Sequence, residues 1–196
     1  MANNFDAKII EWLRSGGLGF MPSDTIYGLS CRALDEKAVE RLHMLKKRDL
    51  DKPFIVLISD ISQLNGLNVD PAQAGPIKDY WPGKISLEFS APKAPNWLHR
   101  GTNKFAIRLP DNPDLRVLIQ QAGPIISTSA NIQGARPASS VAEAWRYFGE
   151  ELDFYVDAGE IKTEPSTIVK IRDGKLVVAR EGAVKLKRLS FMLKCE

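Results

Sequence analysis

KKRDLDKPFIVLI, residues 46–58, sets a basic cluster directly ahead of an unbroken apolar run. The run, Pro53 to Ile58, is bounded by charged and polar residues, the pattern of a strand buried on both faces. Such a strand belongs inside a sheet with cover above and below. The cluster closes a helix: Asp35 is an N-cap candidate, and Val39, Leu42 and Leu45 share one face of a helix running through Lys46. Cations at a helix C-terminus complement its dipole, so Lys46 and Lys47 have an ordinary structural reading. Arg48 and Lys52 lie beyond the helix, immediately before the buried strand. Loops at strand ends are where α/β sheets hold ligands, although that rule concerns C-terminal ends.

Upstream, Phe5, Ile9 and Leu13 recur every four positions and predict a helix over residues 5–13, with Asn3 or Asn4 as cap and Gly16-Gly17 as its end. A short strand, Leu18 to Met21, follows. It meets the proline turn of Pro22-Ser23-Asp24-Thr25 and resumes at Ile26-Tyr27-Gly28-Leu29.

Downstream, Lys84 to Ser90 alternates, with Ile85, Leu87 and Phe89 opposed to Ser86 and Glu88, and predicts a strand with one wetter face. Strands are also expected at Lys104 to Leu109, Pro124 to Thr128, Asp153 to Val156, Ser166 to Ile171 and Lys175 to Ala179. The last two are joined by the turn signal Asp173-Gly174. Helices are expected from Pro113 to Gln121 and from Val141 to Phe148. Helices interleaved with strands imply an α/β fold, and the terminal hairpin makes its sheet mixed parallel and antiparallel.

The 196 residues, 44% hydrophobic and 26% charged, suit one globular domain, 1–196, with a short tail from Ala183 to Glu196. The tail's basic residues, Lys185, Lys187 and Arg188, read as a solvated edge. No apolar run approaches the roughly 18 residues that span a bilayer, and no charged-then-apolar leader is visible, so a cytoplasmic location is expected, without membrane contact. Cys31 and Cys195 are too isolated for a disulfide framework, and His43 and His99 too few for a zinc centre. A net charge of +3 fits nucleotide phosphates, RNA or plain solubility equally.

No GxxxxGK[ST] loop, GxGxxG, GxSxG elbow or HExxH pair occurs. An ATP site would have to be built from basic side chains and polar loops. Four places offer them: the hydroxyls and carboxylate of residues 22–29; Arg48 and Lys52; Ser127-Thr128-Ser129-Ala130-Asn131 at a strand's C-terminal end; and the strand-ending Arg108 and Arg180. An arginine that ends an apolar strand is costly to desolvate unless an anion, from a ligand or from Asp or Glu, meets it.

Taken in order, PSDTIYGL, Lys46 and Arg48 as KxR with Lys52-Pro53, WPGKISL, AIRLP, STSAN, PSTIV and REG resemble the threonylcarbamoyl-AMP synthase family, the YrdC-like domain. The likeness spans residues 8 to 182. It implies an open, twisted α/β sheet with a basic hollow. It also implies condensation of L-threonine, bicarbonate and ATP, with Mg2+ accompanying the nucleotide, to threonylcarbamoyl-AMP and pyrophosphate. A separate tRNA threonylcarbamoyl transferase complex would take the product, and direct contact with tRNA is left open.

Carried over residue by residue, the resemblance implies that Thr25, Arg108, Ser127 and Ser166 hold L-threonine. Arg48, Lys52, Lys104, Ser129 and Arg180 then meet ATP, with Lys46 and Asn131 as phosphate neighbours. Leu57 stands where some members place a histidine, Pro165 replaces the glutamate of an ESTI motif, and the longer members' C-terminal domain has no counterpart. Asp24 is a candidate magnesium neighbour or a turn cap, and no metal ligands are assigned. The rival readings are a non-catalytic RNA-binding module, which the absence of RRM and KH signatures disfavours, and an inactive paralogue of the same fold.

Overall fold

The computed structural model describes residues 5–49 and 51–186. Among these residues nine strands form a single sheet: β1 (Gly19–Pro22), β2 (Tyr27–Arg32), β3 (Ile55–Leu57), β4 (Ile85–Ser90), β5 (Lys104–Arg108), β6 (Ile125–Ser129), β7 (Phe154–Tyr155), β8 (Thr167–Arg172) and β9 (Lys175–Arg180). Their order is β7-β1-β2-β6-β3-β5-β4-β8-β9. Three pairs are parallel (β1 with β7, β3 with β5, β4 with β8) and the rest antiparallel, so the sheet is mixed as expected. The antiparallel β8–β9 hairpin forms one edge.

The helices expected from periodicity are present as α1 (Ala7–Arg14), α2 (Glu36–Lys46), α5 (Pro113–Ala122) and α6 (Val141–Phe148). Asp35, Asn112 and Ser140 cap α2, α5 and α6 by accepting backbone N–H groups of the first turn. For α1 the cap is Asp6, whose Oδ1 accepts from Ile9 N at 3.0 Å, and Asn3 and Asn4 lie outside the described residues. Four further turns escape sequence periodicity: α3 (Gln63–Gly66), α4 (Asn96–His99) and 3-10 segments at Pro71–Tyr80 and Gly149–Glu151. They are too short or too tightly wound to show a 3.6-residue pattern.

Two cores lie on opposite faces of the sheet. Side chains alternate along each strand, so Val56 and Ile126 enter the larger core with Leu42 of α2, while Leu57 and Ile125 enter the smaller one beneath α1 and α5. The strand at residues 55–57 is thus covered on both faces, as its apolar run requires.

On the α1–α5 side the cover stops short. Phe105 and Ile107 of β5, and Leu87 and Phe89 of β4, belong to the larger core, so Lys104, Ala106 and Arg108, with Ser86 and Glu88, face the other way. That uncovered part of the sheet is the floor of the site.

Candidate active site

A cavity of about 260 Å3 lies on this open floor. Thr25, Arg48, Lys104, Arg108, Ser127, Ser129, Ser166 and Arg180 all line it. They come from six separate segments, from the turn after β1 to the end of β9. Lys104 and Arg108, four residues apart on β5, face the same side because a strand repeats every two residues. Ser127 and Ser129 do likewise on β6.

Close approach of backbones makes room for Ser127. Gly28 pairs with Ser129 across the β2–β6 ladder, and a Cβ on Gly28 would lie 2.7 Å from Ser127 Oγ and 3.1 Å from Thr128 O. Only glycine leaves that hydroxyl its place.

Arg108 is 3% exposed at the end of β5. Its Nη1 donates to Asp24 Oδ1, and the other carboxylate oxygen accepts from Asp111 N at 3.1 Å. Asp24 is therefore the ion-pair partner of Arg108. The opposite edge of the guanidinium is almost bare: Nε is buried with no hydrogen-bond partner, and Nη2 reaches only Thr25 Oγ1, at 3.5 Å. A two-pronged donor edge without an acceptor is what a carboxylate ligand satisfies.

Arg48 and Arg180 have no carboxylate partner among the described residues. Arg48 donates from Nε to Lys52 O (3.0 Å) and from Nη2 to Pro53 O (3.1 Å), with its guanidinium carbon 5.0 Å from the centre of the Phe54 ring. Arg180 donates to Ser166 O at 2.7 Å, and Ser166 Oγ lies 2.9 Å from the buried Ser86 Oγ. Ser86, expected on the wetter face of β4, is fully buried because Ser166, just ahead of β8, closes over it. Partial desolvation, followed by the nearby charges of Arg108 and Arg48, pulls the Arg180 guanidinium below its ordinary pKa. Arg48 is lowered chiefly by burial. Like charges crowded this way favour an incoming polyanion.

Lys104 forms an ion pair with Glu88 at 3.1 Å on the cavity wall. Lys46, Lys52 and Asn131 do not line the cavity. The Lys46 ammonium is buried behind the wall, donating to Ser129 O, to Asn131 O (2.8 Å) and to Asn131 Oδ1 (3.3 Å). Burial, then the charge of Arg48, lowers its pKa to about 7. Asn131 Oδ1 also accepts from Ser129 Oγ at 2.6 Å, and its amide donates to Ile132 O and Ala135 O, both at 2.9 Å. Lys46 and Asn131 thus brace the loop that carries Ser129. Lys52 pairs with the exposed Asp49 at 2.5 Å. Leu57 lies beside Arg108 in the β3–β5 ladder but packs in the smaller core, whereas Pro165 lines the cavity.

The family model described as telomere recombination, Sua5/YciO/YrdC, matches residues 11–182. The chain belongs to this family. It is 36% identical over 148 residues to the threonylcarbamoyl-AMP synthase of Coxiella burnetii, covering 74% of this chain and 80% of that one. With the threonylcarbamoyl-AMP synthase of Pseudoalteromonas translucida it shares 33% identity over 179 residues, covering 87% and 95%.

Among solved structures, Pyrococcus abyssi Sua5 complexed with L-threonine matches with a TM-score of 0.79 and 30% identity, covering 88% of this chain and 52% of that one. E. coli YciO matches with a TM-score of 0.80 and 26% identity, covering 94% and 91%. The chain spans about half the length of the P. abyssi Sua5 chain it resembles. The open mixed sheet implied by the motifs is the family's fold. Among the described residues, no helix is long and apolar enough to cross a membrane.

Proposed function

We propose that this chain condenses L-threonine, bicarbonate and ATP into L-threonylcarbamoyl-AMP and pyrophosphate, a nucleotidyl transfer that supplies the threonylcarbamoyl group for tRNA modification. The observation that carries the reading is the convergence of three guanidiniums on one hollow. One of them, Arg108, is held so that a single donor edge stays unsatisfied, and two, Arg48 and Arg180, lack a carboxylate among the described residues. The first suits an amino-acid carboxylate and the others a phosphate chain. Relatives named threonylcarbamoyl-AMP synthase at 33% and 36% identity support it.

The chemistry asks little of acids and bases. The substrate amine adds to bicarbonate with loss of water, giving a carbamate whose oxygen attacks the α-phosphorus as pyrophosphate departs. Nucleotidyl transfer gains most from alignment and charge neutralisation. Arg108 fixes the amino acid by its carboxylate, Arg48 and Arg180 draw the phosphate chain to the same floor, and Ser127 and Ser166 line that floor with them. No group of three or more His, Cys, Asp or Glu side chains suited to a metal exists among the described residues. Mg2+ belongs in this reading to the nucleotide substrate, entering on its phosphates.

In this reading the product passes to a separate transferase complex in the cytoplasm. A pyrophosphate-release assay that omits threonine, bicarbonate and ATP in turn tests it. Release that needs all three is expected; release indifferent to threonine would sink it.

A further inference from the structure

Ser23, in the turn between β1 and β2, lines the cavity but has no role in the reading above. Its hydroxyl touches three atoms. Ser23 Oγ lies 2.8 Å from Ile26 O, which can only accept, so Ser23 donates its single proton there. Thr25 N donates to Ser23 Oγ at 3.1 Å.

The third contact, Ser23 Oγ to Thr25 Oγ1 at 3.0 Å, is ambiguous in isolation. With the Ser23 proton already committed, Thr25 must be the donor. The remaining lone pairs of Thr25 Oγ1 then face Arg108 Nη2, itself obligatorily a donor, and the cavity. Thr25 is 4% exposed, so this direction is set by protein rather than by water.

We infer that Ser23 is a positioning residue that locks the Thr25 hydroxyl as a hydrogen-bond acceptor for an N–H of the amino-acid substrate. The inference rests on the proposed function. The chemistry is consistent across the reaction. A carboxylate taken up on the unsatisfied Nε–Nη2 edge of Arg108, whose Nη2 faces Thr25 Oγ1, puts the substrate's α-nitrogen one carbon beyond it, in the neighbourhood of Thr25. That nitrogen keeps an N–H both as the amine and, after bicarbonate is added, as the carbamate. A hydroxyl free to rotate would offer its own proton to the substrate in part of its population. With Ser23 in place it offers only lone pairs.

The test is calorimetric binding of L-threonine and of 3-hydroxybutanoate, which keeps the carboxylate and hydroxyl but has no amine, to wild type, Ser23→Ala and Ser23→Thr. Ser23→Ala is expected to weaken L-threonine about tenfold, the scale of one redirected hydrogen bond, and to leave 3-hydroxybutanoate unchanged. Ser23→Thr, which keeps the hydroxyl, is expected to restore threonine binding. Equal weakening of both ligands would make Ser23 a merely structural residue and overturn the inference, as would threonine binding undisturbed in Ser23→Ala. Should Ser23→Ala fail to fold, Ser23→Cys, a poor acceptor of similar size, takes its place with the same expected outcomes. Wild type that binds no L-threonine would instead remove the proposed function, and this inference with it.

Discussion

Asp24 grips Arg108 by Nη1 alone, and so leaves the Nε–Nη2 edge of the guanidinium turned away from its own counter-ion. Both side chains are nearly inaccessible, 2% and 4% exposed, so water screens the pair little. Removing one partner strands the other's charge. Asp24→Ala is expected to lower stability by roughly 3 to 5 kcal/mol. Arg108→Lys is expected to raise the threonine requirement strongly, because an ammonium cannot copy the fork. Urea denaturation and threonine calorimetry check the two; an unchanged midpoint for the first, or unchanged affinity for the second, refutes the assignment.

In the proposed reading Arg48 and Arg180 act on the anion rather than on the fold. Their side-chain bonds go only to neutral oxygens, Lys52 O and Pro53 O for Arg48 and chiefly Ser166 O for Arg180, and neither has a carboxylate to strand, so loss of either should cost little stability. Arg48→Ala and Arg180→Ala are each expected to weaken ATP use about a hundredfold, the scale of a charged contact of about 2 to 3 kcal/mol. Pyrophosphate release measured against ATP concentration decides it. A normal profile in either variant removes that arginine from the phosphate site.

His43 gives the chain an acid-sensitive side. It packs against Phe54 with the rings tilted and 4.2 Å between their centres, and both its ring nitrogens are buried and unpartnered. Burial first, then Arg100, Arg48 and Lys46 against the opposing pull of Glu40, brings its pKa from 6.5 to about 4. The unfolded chain therefore binds the extra proton between those two values, and stability falls as pH drops through that window. The loss is on the order of 3 kcal/mol in full. His43→Leu should flatten the dependence; a slope that persists in urea midpoints across this range would locate the acid sensitivity elsewhere.

Gly28 is predicted to be irreplaceable for a local reason. An added methyl would meet Ser127 Oγ at 2.7 Å, and Gly28→Ala should cost about 1 to 3 kcal/mol of overpacking. Pairing it with Ser127→Gly removes the collision. The double variant should recover the thermal midpoint yet not the threonine affinity. Recovery of both would show that Ser127 takes no part in binding.

Most of the framework was legible because the pattern of apolar residues is local. The run at 53–58, the alternation at 84–90 and the capped periods of α1, α2, α5 and α6 each report their own surroundings. Pro71–Tyr80 was not, since a 3-10 segment with Pro76 inside carries no helical period. The same boundary divides the site. Arg108 and Arg180 stood out as charges ending apolar strands. The partners that give them direction, Asp24 and Ser166, lie 84 and 14 residues away and meet them only through the sheet. Lys46 and Arg48 share one motif, yet a left-handed residue between them, Lys47 at φ 49°, sends one side chain behind the wall and the other onto it. Nothing in the spacing of that motif distinguishes the two.

Arg180 arrives from the β8–β9 hairpin, which joins the rest of the sheet only through β4. In the order of synthesis, the strands up to β7 come first, and at that point the cavity wall has just two arginines, Arg48 and Arg108. The last guanidinium comes into place when a parallel strand laid beside β4 turns back on itself. In the proposed reading, therefore, seven of the nine described strands are made before the second guanidinium of the phosphate site, a separation in time between acquiring shape and acquiring chemistry.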